Sequence, residues 1–399
     1  MISMMHSFMA LCGIGLEPIL TKELKINGFK PYDRTIGRVF FSSDEELLPS
    51  LFKANYFLRC TDRIFLLLKK EKVKDFDTFF SILEGIEWEA FFNKKAKIVI
   101  DKVSVFHSKL SSQHALQAMA HKAICSHLCN KWNMHSLSET GSTHIVRLYL
   151  ENDILYVCLD TSGEPLYKRG YRLSGGEAPL RETVAASLLQ FMQWKRKYPL
   201  HDGFTGSGTI PIEATYYAYN IPPGINRSFG FESFSLFSKE KLESTINKIK
   251  EKAFLEIAKD CVVRISGSDN DPKAVSLAKA NAERSLILAG RVLTDYGISS
   301  HLVRPEIFQS EWNELSPPYN DGVLISNPPY GVRLLEEEAV TNLYKDISKK
   351  IKDFAGWKLG FITNKEQFED ICYKENKNIK IKVHKIKTGN MQMYFYVIE

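Results

Sequence analysis

The chain has no Cys-x-x-Cys pair, and its seven cysteines (Cys12, Cys60, Cys125, Cys129, Cys158, Cys261 and Cys372) are scattered and odd in number. That argues against a disulfide framework and makes a reducing cytoplasm the expected compartment. His121, Cys125 and Cys129 stand at i, i+4 and i+8. Three ligands along two turns of one helix cannot surround a tetrahedral ion, so no metal is expected. No apolar run reaches the roughly 18 residues that a membrane span requires, so no membrane association is expected. Met1 to Ala10 carry no basic stretch ahead of an apolar one, so no secretory signal is expected. Internal repeats and low-complexity tracts are also absent.

What is present is length and apolar content. With 399 residues, 44% of them hydrophobic, the chain can hold two or three domains, each with a core. A formal charge of +6 is a mild basic excess, compatible with a polyanionic partner but too small to require one.

Leu16, Ile19, Leu20, Glu23 and Leu24 form a mostly apolar helical stripe that stops at Asn27-Gly28, and Gly37 to Phe41 reads as a strand. This marks an α+β unit over residues 1–60. A second α+β domain is expected over 61–162. It would hold a strand over Ala96 to Val103, a helix over Gln113 to Leu128, and strands His144 to Leu150 and Ile154 to Leu159 joined by a hairpin turn at Glu151-Asn152-Asp153. Residues 163–184 are rich in turn formers and group Lys168, Arg169 and Arg172 around two tyrosines. This connector reads equally as a solvated linker or as a strap on phosphates.

From Glu182 helices and strands alternate: a helix over Thr183 to Trp194, a short strand from Tyr198 to His201, a glycine turn, a helix from Ile210 and an insertion from Asn220 to about Asp260. A strand over Val262 to Gly267, a helix over Lys273 to Ser285, a weak strand near His301 to Val303 and a strand over Gly322 to Ser326 follow. The alternation predicts a doubly wound, mostly parallel sheet over 185–399. Two strands around Thr388-Gly389-Asn390 would close it as an antiparallel edge.

Three segments of this region carry chemistry. Asp202 to Thr209 is a glycine turn at a helix N-terminus, where Gly206, Ser207 and Gly208 let a ligand approach the backbone. No Lys-Ser/Thr pair follows, which excludes a Walker loop, and the third glycine of a dinucleotide fingerprint is missing. Asp269 and Asn270 end the next strand, where a carboxylate can accept both hydroxyls of a ribose, and Asp271-Pro272 reads as a helix cap. Glu311, beside Trp312, is a further polar position. The third segment, Asn327-Pro328-Pro329-Tyr330, follows an apolar strand. There the Asn327 oxygen and the Pro328 carbonyl can accept both N–H groups of a nucleobase amine, Pro329 stiffens the turn and Tyr330 can stack on the base.

Glycine loop, strand-end acid and Asn-Pro-Pro-Tyr, in that order, resemble the class I S-adenosylmethionine-dependent amino-methyltransferases. Ser108 to Ser112, Leu159 to Arg172, Ala178 to Thr183, Gly206 to Ala214, Pro222 to Arg227 and Asn327 to Leu334 are similar to the bacterial 23S rRNA guanine-N2 methyltransferase family. Members carry an RNA-binding THUMP domain and have been labelled N6-adenine DNA methylases. The resemblance implies a Rossmann-like methyltransferase domain behind N-terminal ferredoxin-like and THUMP domains, S-adenosylmethionine as cofactor, and 23S rRNA or a large-subunit assembly intermediate as partner. By position, Asp202, Gly206 and Gly208, with Ser207 and Thr209, match the loop at the methionine end of the cofactor, and Arg181 and Glu182 the helix start that closes it. Asp269, with Asn270, matches the ribose acid, Glu311 the adenine-side acid, and Asn327 to Tyr330 the catalytic turn. Lys109 and Arg333 lie in resembling segments and join Lys168, Arg169 and Arg172 as expected RNA contacts. Gly203 replaces the family's usual Pro and Thr205 its usual Cys, which implies a looser loop. The implied reaction is methyl transfer to guanine N2. The alternatives are adenine N6 methylation of DNA and a non-catalytic ribosome-assembly protein.

Overall fold

The computed structural model describes residues 6–172, 180–257, 261–298, 302–330 and 334–399. Its N-terminal part runs β1 (His6–Leu11), α1 (Glu17–Ile26), β2 (Lys30–Thr35), β3 (Arg38–Ser43), α2 (Leu47–Phe57), β4 (Arg63–Lys72), α3 (Phe76–Glu84), β5 (Lys97–Phe106), α4 (Gln113–Trp132), β6 (Thr143–Glu151) and β7 (Ile154–Asp160). These strands form one sheet in the order β2-β3-β1-β4-β7-β6-β5. The expected division near residue 60 therefore falls inside a continuous sheet, because β1 pairs with β3 on one side and β4 on the other. One apolar core runs through both halves, from Phe8 and Leu51 to Leu116 and Val146. The β6–β7 turn forms as expected, with Asn152 and Asp153 at φ of 52° and 62°, the left-handed pair that a tight hairpin needs.

The second part comprises α5 (Glu182–Phe191), β8 (Leu200–Asp202), α6 (Thr209–Ala218), α7 (Lys239–Leu255), β9 (Ile265–Asp269), α8 (Pro272–Asp295), β10 (Glu306–Gln309), β11 (Gly322–Ser326), α9 (Leu334–Lys350), β12 (Trp357–Thr363), α10 (Phe368–Glu375), β13 (Ile381–Thr388) and β14 (Met391–Ile398). Its sheet order is β10-β9-β8-β11-β12-β14-β13, parallel up to β12 and antiparallel at β14 and β13. Alternation along β11 shows how the sequence does this. Val323 and Ile325 face the core built with α5 and α6, while Leu324 faces the other core with Tyr344 and Phe361. Chain order reverses between β8 and β11, and in such a sheet the crevice opens beyond the carboxyl ends of those strands.

Two expectations are corrected. The strand placed near His301 to Val303 lies further on, at Glu306–Gln309; residue 301 is outside the described residues and 302–305 form no regular element. In its described part the connector is packed down rather than running as a solvated linker: Leu166, Arg169 and Tyr171 are buried, while Glu164 and Lys168 stay exposed. Arg169 donates to the Leu166 and Arg59 carbonyls and faces the buried Glu213 carboxylate. A guanidinium 2% exposed cannot reach a phosphate, so Arg169 leaves the set of expected RNA contacts.

Candidate active site: a cleft at the strand reversal

The cleft begins with the glycine loop between β8 and α6. Gly208 sits at φ of 84°, and a Cβ there would meet Ala278 of α8 at 3.1 Å, so only glycine lets α6 start this close to α8. Neighbouring strands hold the loop: Thr205 N–H donates to the Ser268 carbonyl at 2.9 Å and Gly206 N–H to Asp269 Oδ2 at 2.8 Å. Gly203 N–H donates to Ser326 Oγ at 2.7 Å. The loop is not slack at Gly203, because Trp312 fills the space a larger residue would take: a Cβ there would lie 2.7 Å from the indole Cζ3. The indole is itself stacked between Phe204 and Phe354.

Acidic groups line the cleft at different depths. Asp202, at the end of β8, is 1% exposed, and burial pushes its carboxyl up to about 7 against the opposing pull of the Phe204 N–H and the Ser326 hydroxyl. Asp269 accepts from Gly206 and Asp271 N–H groups, one on each oxygen, which orients it and leaves further lone pairs for a ligand. Asn270 reaches Glu311 at 3.5 Å, closing the rim between the ends of β9 and β10. Asp271 caps α8 by accepting from Lys273 N–H at 2.9 Å, as the sequence suggested.

At the other wall β11 ends in the Asn-Pro-Pro-Tyr turn. Asn327 and Pro329 line the cleft, Pro328 is buried, and the Tyr330 hydroxyl donates to Asn327 Oδ1. The expected stacking surface is therefore not on the wall here: the Tyr330 ring packs against the apolar cluster of α5 and α6, and burial raises its hydroxyl pKa.

One cavity of about 550 Å³ joins these parts. It brings together Asp202, Gly206, Ser207, Thr209, Asp269, Asn270, Glu311, Asn327 and Pro329, all expected from sequence. It does not include Arg181 and Glu182. Arg181 is held by Asp62 of the N-terminal part at 2.9 Å and lies over the Tyr167 ring. Glu182 is buried against Arg172 at 3.0 Å, with its carboxyl raised to about 7 by burial. Their neighbour Leu180 is on the wall instead. Of the expected RNA contacts, Lys109 is exposed and Lys168 is exposed but paired with Glu164 at 2.5 Å. Arg172 turns inward, bonding Glu182, the Leu180 carbonyl and Thr209 Oγ1, and Arg333 lies outside the described residues. Sequence reasoning missed Phe204, Lys273, Leu343 and the packing role of Trp312. The aromatic pair alone carried a signal, one ring in each cofactor-side loop.

The residues present fit S-adenosylmethionine. A cavity of this size is in the range of small-molecule sites, a strand-end carboxylate suits ribose hydroxyls, and a second buried carboxyl, Asp202, can face a cationic group once it is ionised. A family model described as RMKL-like, methyltransferase domain matches residues 169–393, and one for the RlmL ferredoxin-like domain matches residues 7–65. A curated relative from Bacillus subtilis (strain 168), "Putative RNA methyltransferase YpsC", is 32% identical over 92% of this chain and 89% of its own length. "Ribosomal RNA large subunit methyltransferase K/L" from Shewanella baltica (strain OS155) is 29% identical over 94% of this chain, which spans about half, 51%, of that relative. Among solved structures, "SMU.472, a putative methyltransferase complexed with SAH" superposes with a TM-score of 0.83 at 28% identity, covering 98% of this chain and 97% of that one. The chain thus belongs to the RMKL-like methyltransferase family, and S-adenosylmethionine is its methyl donor.

Proposed function

We propose that this protein methylates the exocyclic N2 amine of a guanine in 23S rRNA. One observation carries the reading: Asn327 and Pro329 stand on the wall of the same cleft as Asp202, Asp269 and Glu311, so an amine held at the turn would face a cofactor whose methionine end lay at Asp202. The names of the relatives, both RNA methyltransferases, support RNA as the acceptor.

When bound, S-adenosylmethionine supplies an electrophilic methyl on sulfur. The protein's part is to orient the acceptor amine. Its two N–H groups would donate to Asn327 Oδ1 and the Pro328 carbonyl, which localises the nitrogen lone pair and stabilises positive charge developing there. Tyr330 keeps Asn327 Oδ1 in place by donating to it, and stacking on the base would require its ring to leave the α5–α6 cluster. A target base must be splayed from its helix to enter. No cysteine lies near the turn in sequence, so direct displacement is the mechanism rather than a covalent base adduct. The N-terminal sheet region, proposed to act as a THUMP-type RNA-binding unit, would engage phosphates through Lys109, joined by Lys168 of the connector and by Arg333, which follows the turn in sequence.

The test is nucleoside mass spectrometry of rRNA from a strain lacking the protein. Loss of one N2-methylguanosine from 23S rRNA, restored by the wild-type gene and not by Asn327→Ala, is expected. An unchanged rRNA profile alongside a loss of N6-methyladenine from DNA would overturn the reading.

A further inference from the structure

The catalytic turn is held from behind by a side chain that the sequence motif does not contain. Tyr344 lies on α9, one residue after Leu343, which lines the cleft, but its own ring points away and is 1% exposed. Its hydroxyl is 3.1 Å from the Pro329 carbonyl and 2.6 Å from Thr363 Oγ1. Thr363 ends β12 and is fully buried, and its Oγ1 accepts the Lys365 N–H at 3.1 Å. One hydrogen-bond polarity satisfies every atom. Lys365 N–H donates to Thr363, the Thr363 hydroxyl donates to Tyr344, and the Tyr344 hydroxyl donates to the Pro329 carbonyl.

The consequence follows from proline geometry. A proline ring locks φ, so the only free backbone torsion at Pro329 is ψ, and ψ is set by where its carbonyl points. Anchoring that carbonyl removes the torsion and fixes the peptide plane next to the Pro328 carbonyl. The Tyr344 ring cannot follow a moving turn, because it packs edge-on against Phe368 at 5.2 Å. On the other side of the turn Tyr330 holds Asn327 Oδ1. One tyrosine inside the motif thus holds Asn327 Oδ1 directly, and one on α9 holds the turn just beyond the Pro328 carbonyl.

We infer that Tyr344, backed by Thr363, is a positioning residue that orients the acceptor turn for methyl transfer. This rests on the reading that Asn327 and the Pro328 carbonyl grip the acceptor amine. Losing the brace lets the turn wander by a fraction of an ångström to an ångström, displacement of the kind that costs up to about a hundredfold in rate.

The experiment uses the full chain and tritiated S-adenosylmethionine, with total nucleic acid from a strain lacking the protein as acceptor. Tyr344→Phe keeps the ring and removes only the hydroxyl. It is expected to lower kcat about ten- to hundredfold, with the dissociation constant for S-adenosylmethionine within twofold of wild type and a melting temperature lowered by no more than a few degrees. Thr363→Val should give a similar loss, Thr363→Ser should restore most of the rate, and the double variant should be no worse than either single one. Wild-type kcat in Tyr344→Phe, with Asn327→Ala inactive, overturns the brace and leaves the acceptor reading standing. Wild-type kcat in Asn327→Ala overturns both. Parallel loss of cofactor binding and rate in Tyr344→Phe and Thr363→Val also overturns the brace, since it marks a general structural role.

Discussion

Gly203 and Trp312 occupy complementary halves of one space: the indole Cζ3 and Cε3 stand 2.7 Å and 3.1 Å from where a Gly203 Cβ would be. The indole cannot retreat, being stacked on Phe204 at 5.1 Å and on Phe354 at 5.9 Å. Gly203→Ala is therefore expected to destabilise the protein by about 1–3 kcal/mol through overpacking. Adding Trp312→Leu should recover part of that loss. Denaturant melts of the two single variants and the double variant give the coupling; additive effects would show that the two residues do not share the space.

Burial lifts the Asp202 carboxyl from 3.8 in the ordinary state to about 7 in the folded protein. A raised acid makes the folded state the tighter proton binder, so stability falls as pH rises from about 4 to 7 and the full cost is present above 7. Asp202→Asn removes that cost. Its stability should match wild type near pH 4 and exceed it at pH 8, by up to about 4 kcal/mol. Cofactor affinity should fall in the same variant, while in wild type it should rise with pH through about 7. Titration calorimetry and thermal melts across pH check both signs.

Asn327→Ala removes one of the two acceptors proposed for the amine but leaves the glycine loop and Asp269 untouched. Turnover should drop by about a hundred- to a thousandfold while S-adenosylmethionine binds nearly as before. An equal loss of both would show that Asn327 shapes the cleft rather than the reaction.

Arg172 ties Glu182, the Leu180 carbonyl and Thr209 Oγ1 together across one end of the cleft. Arg172→Lys keeps the charge but cannot reproduce the planar fork, so cofactor affinity should fall about tenfold with no change in the salt dependence of RNA binding. Lys109→Ala should do the reverse, lowering the slope of log affinity against log salt by about 1. Filter binding over a salt series separates the two roles.

The local pattern of the chain was enough to specify α1, α4, the β6–β7 hairpin, β11 and the β13–β14 pair, but not α2, α9, β12 or α10, and it set β10 a few residues too early. Asp271-Pro272 capped its helix, Asn152 and Asp153 made their turn, and the apolar run of β11 delivered Asn327 to the end of a buried strand, because caps, turns and alternation are decided within a few residues. The order of glycine loop, acid and proline turn was sufficient to place nine residues on one cleft. The destinations of charged side chains were not legible in this way. Arg169 and Arg172 read alike in sequence as basic residues of the connector, and Arg181 as part of a helix start beside the cofactor. Packing of the N-terminal part on α5 and α6 sent one into the interface, one behind Thr209 of the cleft and one to Asp62. Tyr344 and Trp312 likewise acquire their roles from β12 and the glycine loop, segments 19 and more than 100 positions away. Contacts between distant segments depend on which faces of the two sheets meet, and that is settled by burying apolar area over the whole molecule rather than by any residue's neighbours in sequence.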